Sequence, residues 1–189
     1  MHPPIHLYLY PMGTKQENTE RLLLHAKEYA ALLGLKVPTP LVLHKTPEGK
    51  PCFPRLPQVH VSISHSGSYW LCAFAHEPIG ADLQIHRPLS FRAIVKRMYH
   101  PLEQAYVQDD PRAFFDVWAA KESYVKFTGM GIRRSLFPSF CTVSGHTLAP
   151  QTEGARLIHL PPPTGYSLCL CTTAAGEVEV IPFVSLSES

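Results

Sequence analysis

Phe115-Asp-Val-Trp118-Ala-Ala-Lys121-Glu122-Ser123-Tyr-Val-Lys126 organises the reading of this chain. Phe115, Trp118, Glu122 and Lys126 are spaced three, four and four residues apart, so a helix projects them from one side. Phe115 and Trp118 can bury that side, leaving Glu122 and Lys126 at a half-dry boundary. By spacing alone this is an amphipathic helix with an i,i+4 Glu–Lys pair, contributing about 0.2–0.5 kcal/mol. The helical pattern runs from Pro111 to Thr128 and stops at Gly129-Met-Gly131, where a left-handed cap belongs.

Working outward, Ile5 to Tyr10 alternates like a strand, and Thr19 to Leu33 reads as a helix closed by Gly34. Six prolines from Pro38 to Pro57 predict a loop with short extended pieces. Val59–Ser64 and Tyr69–Ala75 read as strands around a tight turn, His65-Ser-Gly-Ser68. Ile79–Ile85 is a further strand and Arg92–Tyr99 a helix. Extended segments follow at Phe140–Val143, Ala155–Leu160 and Tyr166–Thr173. Tyr69-Trp-Leu-Cys72 is echoed by Tyr166-Ser-Leu-Cys169, each after a glycine, which hints at duplicated lobes.

The 189 residues suffice for one substantial core or two small lobes. Charged residues make up only 17% of the chain and the net charge is +2, which excludes a strongly basic nucleic-acid binder. No apolar run is long enough for a membrane span, and Met1-His-Pro-Pro-Ile5 does not open like a signal peptide. The five cysteines are odd in number, and Cys169-Leu-Cys171 lacks the C-x-x-C spacing of zinc or redox sites. Reduced, buried cysteines and a cytoplasmic address are expected.

Three further elements carry chemistry. In Gly80-Ala-Asp82-Leu-Gln84, alternation puts Asp82 and Gln84 on one strand face. An acid in an apolar strand needs a cationic partner, and Mg²⁺ takes one or two carboxylates with waters and phosphate oxygens. Without a second carboxylate Asp82 would be a turn cap; Glu122 can be that second carboxylate. Ser64-His65-Ser66-Gly67 places a histidine among hydroxyls beside a glycine, a composition suited to a phosphate. Gly49-Lys50-Pro51 holds a lysine on a loop as a point charge. Each has a bland reading as ordinary surface. Arg92, Lys96, Arg97 and Arg133-Arg134 are the basic concentrations, either a solvated face or a dock for an acidic partner. No P-loop, dinucleotide glycine fingerprint, H-E-x-x-H or G-x-S-x-G motif is present.

In order, Gly-Lys-Pro, Ser-x-Ser-His-Ser-Gly, Gly-x-Asp and Phe-x-x-Trp-x-x-Lys-Glu-Ser-x-x-Lys resemble the 4′-phosphopantetheinyl transferase superfamily. The similarity runs from about Gly49 to Gly131 and is closest to the longer, monomeric, surfactin-synthetase-type branch. The resemblance implies an α+β fold of two similar lobes related by a pseudo-twofold, residues 1–80 and 81–189, with coenzyme A between them. It implies Mg²⁺ on Asp82 and Glu122, and coenzyme A phosphate contacts from Lys50, Ser64 and His65. Arg21 falls where the family carries a basic residue near the nucleotide, although the chain is shorter upstream. Glu103 matches an acidic position after the basic helix.

Gln84 departs from the pattern, since many longer-branch members carry an acid there. It offers a metal only a neutral oxygen, and weaker Mg²⁺ binding is expected.

The implied reaction moves phosphopantetheine from coenzyme A to a serine of an acyl or peptidyl carrier protein. Glu122 or Glu103 would accept the serine proton, and Lys126 would stabilise the departing 3′,5′-ADP. No nucleic acid or membrane partner is expected. Two other readings stand beside it: a metal-dependent hydrolase of the coenzyme A pyrophosphate, and a non-catalytic module that binds coenzyme A or carrier protein.

Overall fold

In the computed structural model, residues 2–131 and 136–182 are described; the Arg133-Arg134 pair lies outside them. The chain runs β1 (Ile5–Pro11), α1 (Lys15–Leu32), a ribbon of β2 (His44–Lys45) and β3 (Pro51–Cys52), β4 (His60–Ser66), β5 (Tyr69–Ala75) and β6 (Ile79–Ile85). Then come α2 (Arg92–Met98), α3 (Pro101–Val107), α4 (Pro111–Thr128), a 3₁₀ turn at Phe137–Ser139, and a ribbon of β7 (Val143–Ser144) and β8 (Thr147–Leu148). β9 (Gln151–Thr152), β10 (Ala155–His159), β11 (Tyr166–Thr172) and β12 (Val178–Pro182) complete it. The expected α+β class is observed. No helix among the described residues is long and apolar enough to cross a membrane.

Two four-stranded sheets carry the structure, ordered β12-β1-β5-β4 and β6-β11-β10-β9. Alternation sends Ile5, Leu7, Leu71 and Ala73 of the first sheet against Ala81, Leu83, Leu168 and Leu170 of the second, forming a shared interior. The opposite faces carry one helix each. Tyr8, Trp70, Cys72 and Phe74 pack with Leu22, Ala26 and Tyr29 of α1. Cys169 and Cys171 pack with Ala119 and Ala120 of α4, which accounts for the C-x-C spacing as two inward positions of one strand. All five cysteines are free thiols.

The Tyr-x-Leu-Cys echo corresponds to a repeated topology. β1, α1, β4 and β5 recur as β6, α4, β10 and β11, with the first strand paired to the last in both sheets. Register repeats too: Pro11 faces Tyr69 and Tyr8 faces Cys72, while Ile85 faces Tyr166 and Asp82 faces Cys169. Both helices have 18 residues. The boundary expected between residues 80 and 81 falls inside β6. β12, expected in the second lobe, instead pairs in parallel with the free edge of β1 and extends the first sheet.

α1 begins a turn earlier than its apolar pattern indicates. Thr14 accepts from the Glu17 amide while the Glu17 side chain accepts from the Thr14 amide, a capping box written as Thr-x-x-Glu. α4 starts at Asp110, whose carboxylate accepts from the Arg112 N–H at 2.8 Å, with Pro111 in the first turn. It ends at Gly129, which adopts φ 69°. The hairpin between β4 and β5 is tighter than expected. His65 and Ser66 belong to the strand, and only Gly67-Ser68 turn.

Candidate active site

The site forms where β6, α4 and the Gly49–Lys50 loop converge. Asp82 is 2% exposed and Glu122 6% exposed, so both carboxyls are withdrawn from bulk water. Asp82 is enclosed by three donors. Its Oδ1 accepts from Lys126 Nζ at 2.6 Å and from Ser64 Oγ at 2.9 Å, and its Oδ2 accepts from Gln84 Nε2 at 2.7 Å. The Lys126 ammonium also donates to the Ala81 carbonyl at 3.1 Å and the Ile63 carbonyl at 3.3 Å. Gln84 therefore presents its NH₂ group, not its oxygen, to Asp82, because a carboxylate accepts only from donors.

Glu122 senses this arrangement electrostatically. Burial and the neighbouring Asp82 charge raise its carboxyl from 4.5 to about 7, partly opposed by Lys126. Such a group is divided between its protonated and ionised forms near neutral pH, and its ionised form is basic enough to take a proton. Lys50 approaches from the loop and donates to the Phe127 carbonyl at the C-terminal end of α4 at 2.6 Å, where the helix dipole favours a cation. Burial lowers its ammonium to about 8. Gly49, Lys50, Ser62, Glu122, Lys126 and Gly129 line a cleft of about 380 Å³; Asp82 sits behind them.

His65 and Arg21 lie to one side. His65 is exposed and borders a second hollow of about 330 Å³ with Asn18, Leu22 and Trp70. Ile63 lines both hollows, so they adjoin across β4. Arg21 stacks 4.7 Å over the Tyr10 ring and donates at 3.1 Å to Oδ1 of Asn18, a residue that lines the second hollow.

Glu103 is not brought to the cleft. It is 0% exposed and ion-paired at 2.8 Å with Lys121, which is equally buried. Its Oε1 accepts from the Thr142 amide and hydroxyl at 2.7 and 2.9 Å, and its Oε2 from the His100 amide at 2.9 Å. With both oxygens engaged and the carboxyl fully buried, Glu103 is not placed at the cleft as its position in the sequence led one to expect. Ser64 lies beside Asp82, not on the cleft wall. Its single hydroxyl proton goes to Asp82. The Lys121–Glu103 pair escaped the sequence reading because the two residues come from different helices, α4 and α3, and no local spacing links them. The basic helix is surface in character, its Arg92 pairing with Asp109 at 2.8 Å between two exposed side chains.

Among the described residues no group of three or more His, Cys, Asp or Glu side chains is disposed to hold a metal ion. Asp82 and Glu122 nevertheless offer two hard carboxylate groups, and Mg²⁺ is a cation that takes one or two carboxylates while keeping several waters and binding through substrate phosphates.

Residues 78–171, which contain Asp82, Gln84, Glu103, Glu122 and Lys126, match the family model of the 4′-phosphopantetheinyl transferase superfamily. The chain belongs to this superfamily. It is 30% identical over 157 residues to the 4′-phosphopantetheinyl transferase Sfp of Bacillus subtilis (strain 168), covering 74% of this chain and 66% of the relative. A second 4′-phosphopantetheinyl transferase of Bacillus subtilis is 37% identical over 136 residues, 69% of this chain and 56% of the relative. The 4′-phosphopantetheinyl transferase HetI of Nostoc sp. (strain PCC 7120) is 36% identical over 80 residues, 39% of this chain and 34% of the relative. The matched segments thus span less than two thirds of each relative's length. The surfactin-type branch agrees with the ordered motifs between Gly49 and Gly131.

Proposed function

We propose that this chain transfers 4′-phosphopantetheine from coenzyme A to a serine of an apo acyl or peptidyl carrier protein, releasing 3′,5′-ADP. The observation that carries the reading is Glu122, a buried carboxyl held near pH 7 beside Asp82 and Lys126 at the floor of a cleft. The carrier serine oxygen attacks the phosphorus bearing the pantetheine arm, and the P–O bond to 3′,5′-ADP breaks as the new one forms. Glu122 accepts the serine proton. Lys126 presents positive charge to the departing phosphate; its 3.3 Å bond to the Ile63 carbonyl is the weakest of its three and the least costly to redirect. Lys50 and His65 hold the nucleotide end, so remote binding positions the reacting phosphate. Asp82 and Glu122 are the residues that would hold Mg²⁺, with Gln84 joining through its oxygen once its amide turns. Bound there, Mg²⁺ supplies neutralisation of the pyrophosphate charge.

The deciding assay incubates the protein with coenzyme A, Mg²⁺ and an apo carrier protein and then weighs the carrier. A gain of one phosphopantetheine is expected. Free phosphopantetheine would mark a hydrolase, and an unchanged carrier with bound coenzyme A a binding module.

Glu122→Gln is expected to abolish the mass gain and yet melt at a higher temperature than wild type at pH 8 in EDTA. The folded-state pKa of about 7 lies above the reference 4.5, so ionisation costs stability. That cost is absent below pH 4.5 and complete above about 7, with an upper bound of about 3 kcal/mol. The melting advantage should close by pH 4.5; equal melting at both pH values would show that Glu122 is not strained by burial.

Lys50 gives a second pH signature. Its charge is present below about pH 8 and lost above it. Coenzyme A affinity measured by calorimetry in EDTA should fall roughly tenfold between pH 7 and 9, one charge-assisted contact's worth. Lys50→Met should be weak throughout, and a flat wild-type profile would remove Lys50 from the phosphate contacts.

A further inference from the structure

β4 and β6 are the facing edges of two different sheets, and side chains replace a backbone ladder between them. Ser62, Ser64 and Ser66 stand at alternate positions of β4, so all three hydroxyls point the same way. Their Oγ atoms accept from the N–H groups of Ala81 at 2.9 Å, Leu83 at 3.2 Å and Ile85 at 2.9 Å. Every second amide along the edge of β6 is thereby satisfied, where unpaired buried amides would otherwise be costly. Lys126 closes the same seam from α4, bridging the Ile63 carbonyl on β4 and the Ala81 carbonyl on β6.

Ser64 differs from the other two serines in one respect. Its hydroxyl accepts from Leu83 and also donates to Asp82 Oδ1, and it is 5% exposed. A serine hydroxyl has one proton, so it cannot hold Asp82 and donate to a phosphate together. Alanine would supply neither bond, whereas threonine keeps both groups.

We infer that Ser64 is a positioning residue: through the seam between the sheets it orients the Asp82 carboxylate for a divalent cation, and its side chain is not a phosphate ligand. Resting on the transferase reading given above, this assigns the middle of the Ser-x-Ser-x-Ser pattern to Asp82 and the outer two to joining the sheets.

Mn²⁺ binding followed by EPR in the presence of coenzyme A tests the role without turnover, alongside calorimetry of coenzyme A alone in EDTA. Ser64→Ala should raise the Mn²⁺ dissociation constant at least fivefold while leaving coenzyme A affinity in EDTA within twofold of wild type. Ser64→Thr should restore the Mn²⁺ constant. Ser66→Ala, which loses the same kind of amide acceptor away from Asp82, should lower the melting temperature but keep the Mn²⁺ constant. If Ser64→Ala does not fold, Ser64→Cys, with its weaker donor, should still show impaired Mn²⁺ binding. The inference is overturned if Ser64→Ala weakens coenzyme A in EDTA fivefold, if its Mn²⁺ constant is unchanged, or if Ser66→Ala weakens Mn²⁺ equally. It is overturned as well if the wild type holds no Mn²⁺. A wild type that binds Mn²⁺ but adds no mass to the carrier defeats the transfer reading, and the titrations still decide the role of Ser64.

Discussion

Gly80→Ala is expected to abolish transfer and to cost about 3 kcal/mol of stability or more, the upper range for overpacking. A Cβ at Gly80 would come within 3.0 Å of the Ser123 carbonyl oxygen and the Phe127 amide nitrogen, both backbone atoms of α4. Neither can yield as a flexible side chain would. α4 cannot retreat either, because Val117 and Val125 are buried in the cluster that holds Phe137 and Phe140, while Ala119 and Ala120 rest on the second sheet. Strand and helix must therefore separate. That opens the 2.6 Å contact of Lys126 with Asp82 and displaces Glu122 from the same charge cluster. Thermal melting and the carrier mass assay measure the two effects together. A variant that melts with wild type and transfers normally would show that the close approach of β6 to α4 is dispensable.

That contact illustrates which parts of the molecule could be seen in the sequence. α4 was legible end to end because its local signals agree: Asp110 and Pro111 open it, Gly129 closes it, and one apolar side runs between. α3 was not foreseen. It has only seven residues, too few for a periodic stripe, and its cap is a histidine, His100, backed by Glu103. β12 could not be foreseen either, since it pairs with β1 at the other end of the chain and no local pattern records a partner that distant. The serines of β4 show a different limit. Alternating hydroxyls look the same whether they face water, a phosphate or the edge of another sheet, and here they meet β6. Asp82, Glu122 and Lys126 were brought together by the ordered motifs rather than by any spacing rule. The geometry then added what the order could not, namely that Lys126 and Ser64 both spend protons on Asp82.

Glu103 and Lys121 show the opposite failure, an acid that matched a site position while being structural. Lys121→Met is expected to cost about 3–5 kcal/mol, because it strands the Glu103 charge in a fully buried site. Lys121 does more than neutralise. Its ammonium donates to the Phe137 and Phe140 carbonyls at 2.6 and 2.9 Å and sits 4.1 Å over the Phe140 ring, so it holds the segment after α4 against the helix. Glu103 ties α3 to the same segment through Thr142. Removing both charges with Glu103→Leu and Lys121→Met should cost less than the sum of the single changes, since neither charge is then left alone. The carbonyls of Phe137 and Phe140 still lose their donor, so the double variant should remain below wild type. Denaturant unfolding of the cycle measures this coupling, and additive losses would mean that the pair contributes no interaction of its own. Activity separates Glu103 from Glu122 in the same experiment. Below its melting temperature, folded Glu103→Gln should retain the transfer rate per molecule, whereas Glu122→Gln should lose transfer while gaining stability. Loss of turnover in a fully folded Glu103→Gln protein would return Glu103 to the chemistry, despite a carboxylate whose four hydrogen bonds all go to the fold.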